Sequence, residues 1–191
     1  VYVSQNDQLM AIFFIEDRVK PETKTLISQL KDMGVTPILL TGDQEKTARY
    51  VASQVGIERV IANCLPTDKA SIIQELQKEF ACVGMVGDGI NDAPALAQAN
   101  VSYAMGSGTD IAMESADIVL MEDLTRIPYS IRLSKKMRGI IKQNIIFALS
   151  VIAVLIISNL FQSINLPLGV VGHEGSTILV ILNGLRLLYF K

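Results

Sequence analysis

Charge divides this chain into three blocks, and the last block limits the fold most. Between Lys142 and Arg186 lie 43 residues without lysine or arginine, and their only carboxylate is Glu174. The first 125 residues carry 9 basic and 18 acidic residues, and the next 17 carry 6 basic residues and no acidic one. Such a chain is neither soluble throughout nor membrane-embedded throughout. We predict a soluble domain, a basic juxtamembrane helix and a membrane segment, at residues 1–123, 124–142 and 143–191.

Composition disfavours several classes of protein. Half of the residues are hydrophobic and the mean hydropathy is +0.37, too apolar for a disordered chain. The basic block adjoins apolar sequence, where anionic lipid headgroups explain it better than nucleic acid does. Cys64 and Cys82 have no metal-binding spacing, so we expect two reduced, buried cysteines. Because the sequence starts at Val1 without Met or a signal peptide, we expect the C-terminal piece of a longer protein.

The acidic block alternates short apolar runs with helical patterns, as in a parallel sheet with crossover helices. Pro21 suits a first helical turn, and Gly34 and Gly56 each follow a predicted helix, where glycine favours a left-handed cap. We therefore predict one doubly wound α/β domain of Rossmann type. The predicted strands are 10–15, 35–40, 60–62, 83–86, 101–105 and 118–120, and the main predicted helices are 21–33, 45–55 and 67–80.

Two of these strands end in carboxylates, at the edge where α/β sheets bind their ligands. Asp43 follows the strand at 35–40, and Asp88 and Asp92 follow the strand at 83–86. Carboxylate oxygens suit Mg²⁺, so we predict Asp88 as a direct ligand with Asp92 beside it. Aspartate and glycine also dominate turns, and Asp92 could cap a helix. For the Gly-Asp-Gly segment alone, that alternative stays open.

Three more residues suit a phosphoryl group. Thr41 offers a hydroxyl, Gly42 a bare backbone amide, and Lys69 a positive charge at the start of a helix. Hydrogen-bond donors, a cation and a metal stabilise a phosphoryl group in transfer. Taken alone, Lys69 is more often a solvated helix residue. No P-loop motif occurs, and Gly106-Ser107-Gly108 lacks the third glycine of a dinucleotide-binding loop.

These residues stand in motifs that resemble those of the P-type ATPases in the haloacid dehalogenase superfamily. The motifs are Thr41-Gly42-Asp43, Leu65-Pro66-Thr67-Asp68-Lys69 and residues 85–96, and the resemblance extends over nearly the whole chain. It implies a haloacid-dehalogenase-like fold. It also implies that Thr41 and Gly42 contact the phosphoryl group, Lys69 neutralises it, Asp88 ligates Mg²⁺, and Asn91 and Asp92 complete the site, with Asp43 in the same motif.

The family's phosphorylated aspartate stands in a D-K-T-G-T string, which this sequence does not contain. The resemblance implies that this aspartate lies upstream, together with the domain that makes most of the contacts with ATP. We therefore expect the 191-residue chain alone to hydrolyse no ATP.

Two stretches in the last block are long enough to span a bilayer. Residues 145–164 carry no formal charge, and residues 166–185 form a second stretch of 20 residues. Basic residues precede the first stretch, and Arg186 and Lys191 follow the second. The positive-inside rule then predicts a transmembrane helical hairpin, in the plasma membrane, with both ends and the α/β domain in the cytoplasm. A buried hairpin in a soluble core is the alternative.

The second stretch contains His173 beside Glu174. Ionisable groups at membrane depth usually face a cavity, a partner or an ion, and this pair suits a divalent transition metal better than Na⁺ or K⁺. The ligand types do not separate zinc, iron and cobalt. Ser176 and Thr177 could add hydroxyl oxygens, although helical hydroxyls usually bond back to the preceding turn. Alternatively, His173 and Glu174 pair with each other near the hairpin turn.

The His-Glu-Gly string resembles a motif in the last membrane helix of heavy-metal P-type ATPases, near members assigned to cobalt, zinc or iron export. The resemblance implies an ATP-driven exporter of divalent transition metal ions that forms an aspartyl-phosphate. Its cofactors would be Mg²⁺ and ATP, and its partners the metal ion, membrane lipid and the missing domains. Two other hypotheses stay open: a membrane-tethered phosphatase of the same superfamily, and a non-catalytic regulatory subunit.

Overall fold

The computed structural model describes residues 2–6, 8–12, 19–121, 123–161 and 166–190. The chain divides into two compact units, Val1–Arg126 and Ile127–Lys191. We call them the α/β unit and the helical unit. The finer division at residues 123 and 142 stays a prediction.

The α/β unit alternates strands and helices in the predicted order. Its helices end where the sequence indicates, since Gly56 caps the second one with a φ of +81° and Gly34, with a φ of +78°, follows the first. The strands are β1 Tyr2–Gln5, β2 Gln8–Ile12, β3 Ile38–Leu40, β4 Arg59–Ile61, β5 Gly84–Gly87, β6 Val101–Met105 and β7 Ile118–Leu120. The helices are α1 Glu22–Asp32, α2 Glu45–Val55, α3 Asp68–Glu79, α4 Ala93–Gln98 and α5 Asp110–Glu114, with a 3₁₀ turn at Ile90–Asp92.

The predicted parallel strands are present, and they form two hydrogen-bonded groups. Strand β3 pairs in parallel with β4, and β5, β6 and β7 form a parallel group in that order. Among the described residues, no strand joins β3 to β5. Both groups nevertheless pack on one core, because Ile38, Leu40 and Ile61 contact the cluster that contains Met85 and Leu96.

An antiparallel hairpin precedes the parallel strands, and the predicted pattern missed it. Strand β1 pairs with β2, with Tyr2 opposite Ile12 and Gln5 opposite Gln8. Asn6 has a φ of +50°, a turn conformation that asparagine tolerates. The predicted first strand at 10–15 therefore overlaps β2, while its residues 13–15 lie outside the described part of the chain.

The helical unit contains two long helices, α6 Arg126–Leu160 and α7 Leu166–Leu185. The basic segment and most of the first predicted span share one continuous helix of 35 residues. Within the described ranges, α6 is the one helix that is long and apolar enough to cross a membrane by length and composition. Helix α7 has the predicted bounds. Residues 162–165, at the end of the first predicted span, fall outside the description.

Candidate functional site

The loop after β3 holds Thr41 and Asp43 together. The Thr41 hydroxyl donates to Asp43 Oδ2 at 3.0 Å and accepts the Asp43 backbone N–H at 3.1 Å. The Thr41 backbone N–H donates to Ile61 O at 3.0 Å, and its carbonyl accepts from Cys64 N–H at 3.1 Å. A Cβ on Gly42 would lie 3.2 Å from the Cys64 carbonyl, so this loop favours glycine. Asp43 therefore orients the Thr41 hydroxyl at the strand end.

The loop after β4 holds the backbone of Thr41 through hydrogen bonds. Cys64 is buried, and its thiol donates to Ile61 O at 3.4 Å. Burial raises the pKa of the Cys64 thiol, and the positive charge of Lys69 partly opposes that rise. The expectation of a buried cysteine is confirmed for Cys64. It is wrong for Cys82, which is exposed because it lies in the turn between α3 and β5.

Lys69 and Asp92 form an ion pair across the site. Lys69 is in the first turn of α3, and its Nζ lies 2.6 Å from Oδ1 of Asp92, at the end of the 3₁₀ turn after β5. The two side chains are only 16% and 12% exposed. Asp92 makes no side-chain cap on α4, so the capping alternative does not account for it. Lys69 is therefore not a solvated helix residue, which was the alternative interpretation of this lysine.

Glycine at position 87 permits this arrangement. A Cβ built on Gly87 would lie 2.7 Å from Asp92 Cβ and 2.9 Å from Asp92 Oδ2. Real Cβ atoms do not approach so closely, so any larger residue would displace Asp92. The ion pair therefore depends on glycine at position 87. The sequence signal for this glycine was its place in the Gly-Asp-Gly segment.

Asp88 and Asn91 are exposed at the end of β5. In the described part of the chain, no group hydrogen-bonds the Asp88 carboxylate, and Asp92 keeps Oδ2 free of the Lys69 contact. Two hard carboxylates suit Mg²⁺, which usually takes one or two of them and keeps several waters. The residues therefore fit this ion. Among the described residues, no three His, Cys, Asp or Glu side chains lie close enough together to hold a metal ion by themselves.

A second loop fixes the main chain of Asp88, and the sequence interpretation missed it. Thr109 N–H donates to Asp88 O at 3.0 Å, and the Thr109 hydroxyl caps α5 by accepting Ala112 N–H at 3.3 Å. A Cβ on Gly108 would approach the Asp88 carbonyl within overlap distance. The signal was present in Gly106-Ser107-Gly108, which we considered only as an incomplete dinucleotide loop.

The residues of the second predicted site lie on α7. His173 and Glu174 are both exposed, and no ion pair joins them. The hydroxyls of Ser176 and Thr177 donate to His173 O at 2.7 and 3.3 Å, the back-bonding expected of helical hydroxyls. Their oxygens can still accept or ligate through remaining lone pairs.

Comparison with known proteins extends over almost the whole chain. Residues 1–100 match the model of the haloacid dehalogenase-like hydrolases. The chain is 52% identical over 189 residues to the zinc-transporting ATPase of Bacillus subtilis (strain 168), covering 98% of this chain and 30% of that protein. It is 43% identical over 198 residues to copper-transporting ATPase 1 of Mus musculus, covering 100% of this chain and 13% of that protein.

This chain is also similar in fold to a solved structure. The crystal structure of a zinc-transporting PIB-type ATPase in the E2.Pi state matches with a TM-score of 0.89 and 37% identity, over 98% of this chain and 31% of that chain. The chain thus spans less than a third of the length of each of these relatives. The predicted fold class is confirmed.

Proposed function

The chain belongs to the haloacid dehalogenase-like hydrolase family, and we propose that it is part of a P-type ATPase that exports divalent transition metal ions, of the zinc, cobalt or iron class, through an aspartyl-phosphate intermediate. The contact of 2.6 Å between Lys69 and Asp92 carries the phosphoryl-transfer part of this proposal. It brings a cation from α3 to the carboxylates after β5, which is the charge pattern that phosphoryl transfer needs. The names of the relatives support metal transport.

Each residue of the α/β site has a role in the proposal. The Thr41 hydroxyl, oriented by Asp43, and the Gly42 amide donate to phosphoryl oxygens. Lys69 adds positive charge, and Asn91 completes the set of polar groups around the phosphoryl group. Asp88 and Asp92 would hold Mg²⁺, which supplies further positive charge against the phosphoryl oxygens when bound. Asp92 also holds Lys69 in place, because the two side chains form an ion pair.

The phosphorylated aspartate comes, in this proposal, from a segment upstream of Val1 in a longer protein. Strands β3 and β5 support this, because each has one edge without a strand partner among the described residues. A parallel strand between them would end between the loop of Thr41 and the loop of Asp88. An aspartate at its end would then meet Lys69 and the metal ligands. ATP would bind mainly outside the present residues.

Metal transport is assigned to α7. His173 and Glu174 supply one nitrogen and one oxygen ligand class, and a transition-metal site needs at least one more ligand from elsewhere in the protein. In the proposal, α6 and α7 cross the plasma membrane, the α/β unit lies in the cytoplasm, and basic residues of α6 contact anionic lipid headgroups. Tags near Leu120 and at Lys191 should then both be reachable from the cytoplasmic side only.

The test uses the full-length protein in membranes. We expect ATP hydrolysis to rise on addition of zinc, cobalt or iron(II), and Asp88→Asn to abolish turnover of the phosphoenzyme. Glu174→Gln should remove the metal stimulation, whereas Glu75→Gln, on the exposed face of α3, should leave it unchanged. Hydrolysis of small phosphate esters at a rate that none of the three metals changes would instead favour the membrane-tethered phosphatase.

A further inference from the structure

A chain of side-chain hydrogen bonds joins α6 to α7. Asn183 Nδ2 donates to Asn144 Oδ1 at 2.8 Å, and Asn144 Nδ2 donates to the carbonyl oxygen of Val180 at 3.4 Å. Arg186 Nη1 donates to Asn183 Oδ1 at 2.9 Å. Each asparagine thus uses its carbonyl as an acceptor and its amino group as a donor. Because Arg186 engages the Asn183 carbonyl, the Asn183 amino group points toward α6.

Each asparagine lies where the apolar part of its helix meets a charged end, marked by Lys142 on α6 and by Arg186 after α7. Ile145 and Ile146 follow Asn144, and Ile181 and Leu182 precede Asn183. Asparagine is a weak helix former, and in an apolar solvent its amide needs a partner. The bond between Asn144 and Asn183 supplies that partner only when the two helices keep one axial alignment. Hydrogen bonds of this kind hold membrane helices together.

A second contact shows the same alignment. A Cβ on Gly172 would lie 3.4 Å from Leu155 Cδ2, so α7 runs antiparallel to α6 and packs closely there. Eleven residues separate this contact from the asparagine pair on each helix, about 16 Å along the axes. His173 follows Gly172 directly. A slip of one helical turn would therefore move His173 by about 5.4 Å relative to α6.

We propose that Asn144 and Asn183 form an interhelical clamp that sets the register of α6 and α7 and so positions His173 and Glu174 for metal binding. The register itself follows from the two helices alone, while the effect on metal binding rests on the proposed function. Asn144 and Asn183 are positioning residues, because they lie three turns from His173. Arg186 orients the amide of Asn183 from the adjoining 3₁₀ turn, Arg186–Tyr189.

Cysteine cross-linking in the full-length protein tests the register. With Asn144 present, the pair Leu155→Cys and Gly172→Cys should form a disulfide, identified by peptide mass spectrometry. Adding Asn144→Leu should lower that yield and raise the yield of Val151→Cys or Asn159→Cys with Gly172→Cys, one turn away. Ser150→Ala is the matched control, because the Ser150 hydroxyl donates to Ile146 O on its own helix at 2.8 Å. Unchanged yields in the Asn144→Leu protein would overturn the clamp.

Metal dependence tests the positioning role. Asn144→Leu should raise the half-saturating metal concentration for ATP hydrolysis by about tenfold, since loss of groups that position metal ligands typically costs about 10- to 100-fold in metal affinity. Phosphorylation from inorganic phosphate should stay unchanged, and Asn144→Leu with Asn183→Leu should be no worse than either alone. Asn144→Ser, too short to reach α7, serves if the leucine variant does not accumulate in membranes.

The outcomes separate the two proposals. If the register shifts and His173→Ala abolishes metal stimulation, but the half-saturating metal concentration of Asn144→Leu stays at the wild-type value, the positioning role is overturned. If the register shifts and His173→Ala leaves metal stimulation intact, the assignment of the metal site fails while the clamp stands.

Discussion

The α/β unit and the helical unit place their apolar side chains in opposite ways. In the α/β unit, Ala95, Leu96 and Ala104 are at most 1% exposed and form a core. In the helical unit, Ile156 and Val171 are 64% and 68% exposed. The asparagine clamp is half-buried between the helices. The second pattern is what the proposed membrane location requires, since apolar surface costs nothing in lipid and polar groups there must satisfy each other.

This contrast shows how each unit handles charge. In the α/β unit, Lys69 and Asp92 neutralise each other where water is largely excluded, so burial and pairing occur together. In the helical unit, His173 and Glu174 point away from α7 and have no such pairing with each other. The first arrangement pairs two opposite charges, whereas the second leaves an imidazole and a carboxylate that, in the proposed function, bind a metal ion together with further ligands.

The largest effect should follow from breaking the Lys69–Asp92 pair. Asp92→Ala leaves Lys69 charged in a site where its side chain is 16% exposed, and removing one partner of a buried pair costs about 3–5 kcal/mol. The free energy of unfolding can be followed in the full-length protein as urea-dependent alkylation of the buried Cys64. Lys31→Ala, which breaks an exposed pair with Glu58, should shift the midpoint little. Equal shifts for both variants would contradict the buried pair.

A smaller effect should follow from adding a methyl group at Gly108. Gly108→Ala must push the Asp88 carbonyl away, and we expect the half-saturating Mg²⁺ concentration for phosphoenzyme formation to rise about tenfold. The maximal rate should change less, because Lys69 and Thr41 keep their places. Gly84→Ala, on the strand β5 that precedes Asp88, is the control, since its Cβ would lie 3.7 Å from Val101 O. An unchanged Mg²⁺ dependence would remove Gly108 from the site.

The smallest effect concerns the two thiols of the α/β unit. Cys82 is exposed and Cys64 is buried with a raised pKa, so at neutral pH Cys64 holds less thiolate and is shielded. Iodoacetamide should modify Cys82 several-fold faster in the folded protein. Cys64 should gain reactivity as the pH rises toward its raised pKa. Faster labelling of Cys64 than of Cys82 at neutral pH would mean that the loop supporting Thr41 is open.

The sequence was most informative where periodicity and strand ends decide the structure. Helix α2 begins at Glu45 and ends at Val55 as predicted, and α7 has its predicted bounds, because glycine caps and long apolar runs are local signals. The β1–β2 hairpin was missed, since its strands are short and mostly exposed. The division of the parallel strands into two groups could not be foreseen, because local patterns do not reveal which strands pair.

The sequence suggested which residues belong to the candidate site, but it could not show which of them contact each other. The positions of Lys69 and Asp92 followed from motifs, but their pairing depends on how α3 packs against the end of β5. Gly108 and Thr109 act through the backbone of Asp88, and a backbone contact leaves little trace in side-chain chemistry. The asparagine clamp joins residues far apart in the sequence, so only the packing of α6 on α7 reveals it.

Phosphorylation of the full-length protein by inorganic phosphate tests the central claim, that the α/β unit holds the phosphorylation site and the helical unit the metal site. In the proposed function, this reaction needs the site in the α/β unit and no transported metal. We expect His173→Ala to form the phosphoenzyme at wild-type levels while losing metal-stimulated ATP hydrolysis, and Lys69→Met to lose the phosphoenzyme by about 10²-fold. Loss of phosphorylation in His173→Ala together with normal phosphorylation in Lys69→Met would contradict this division of labour.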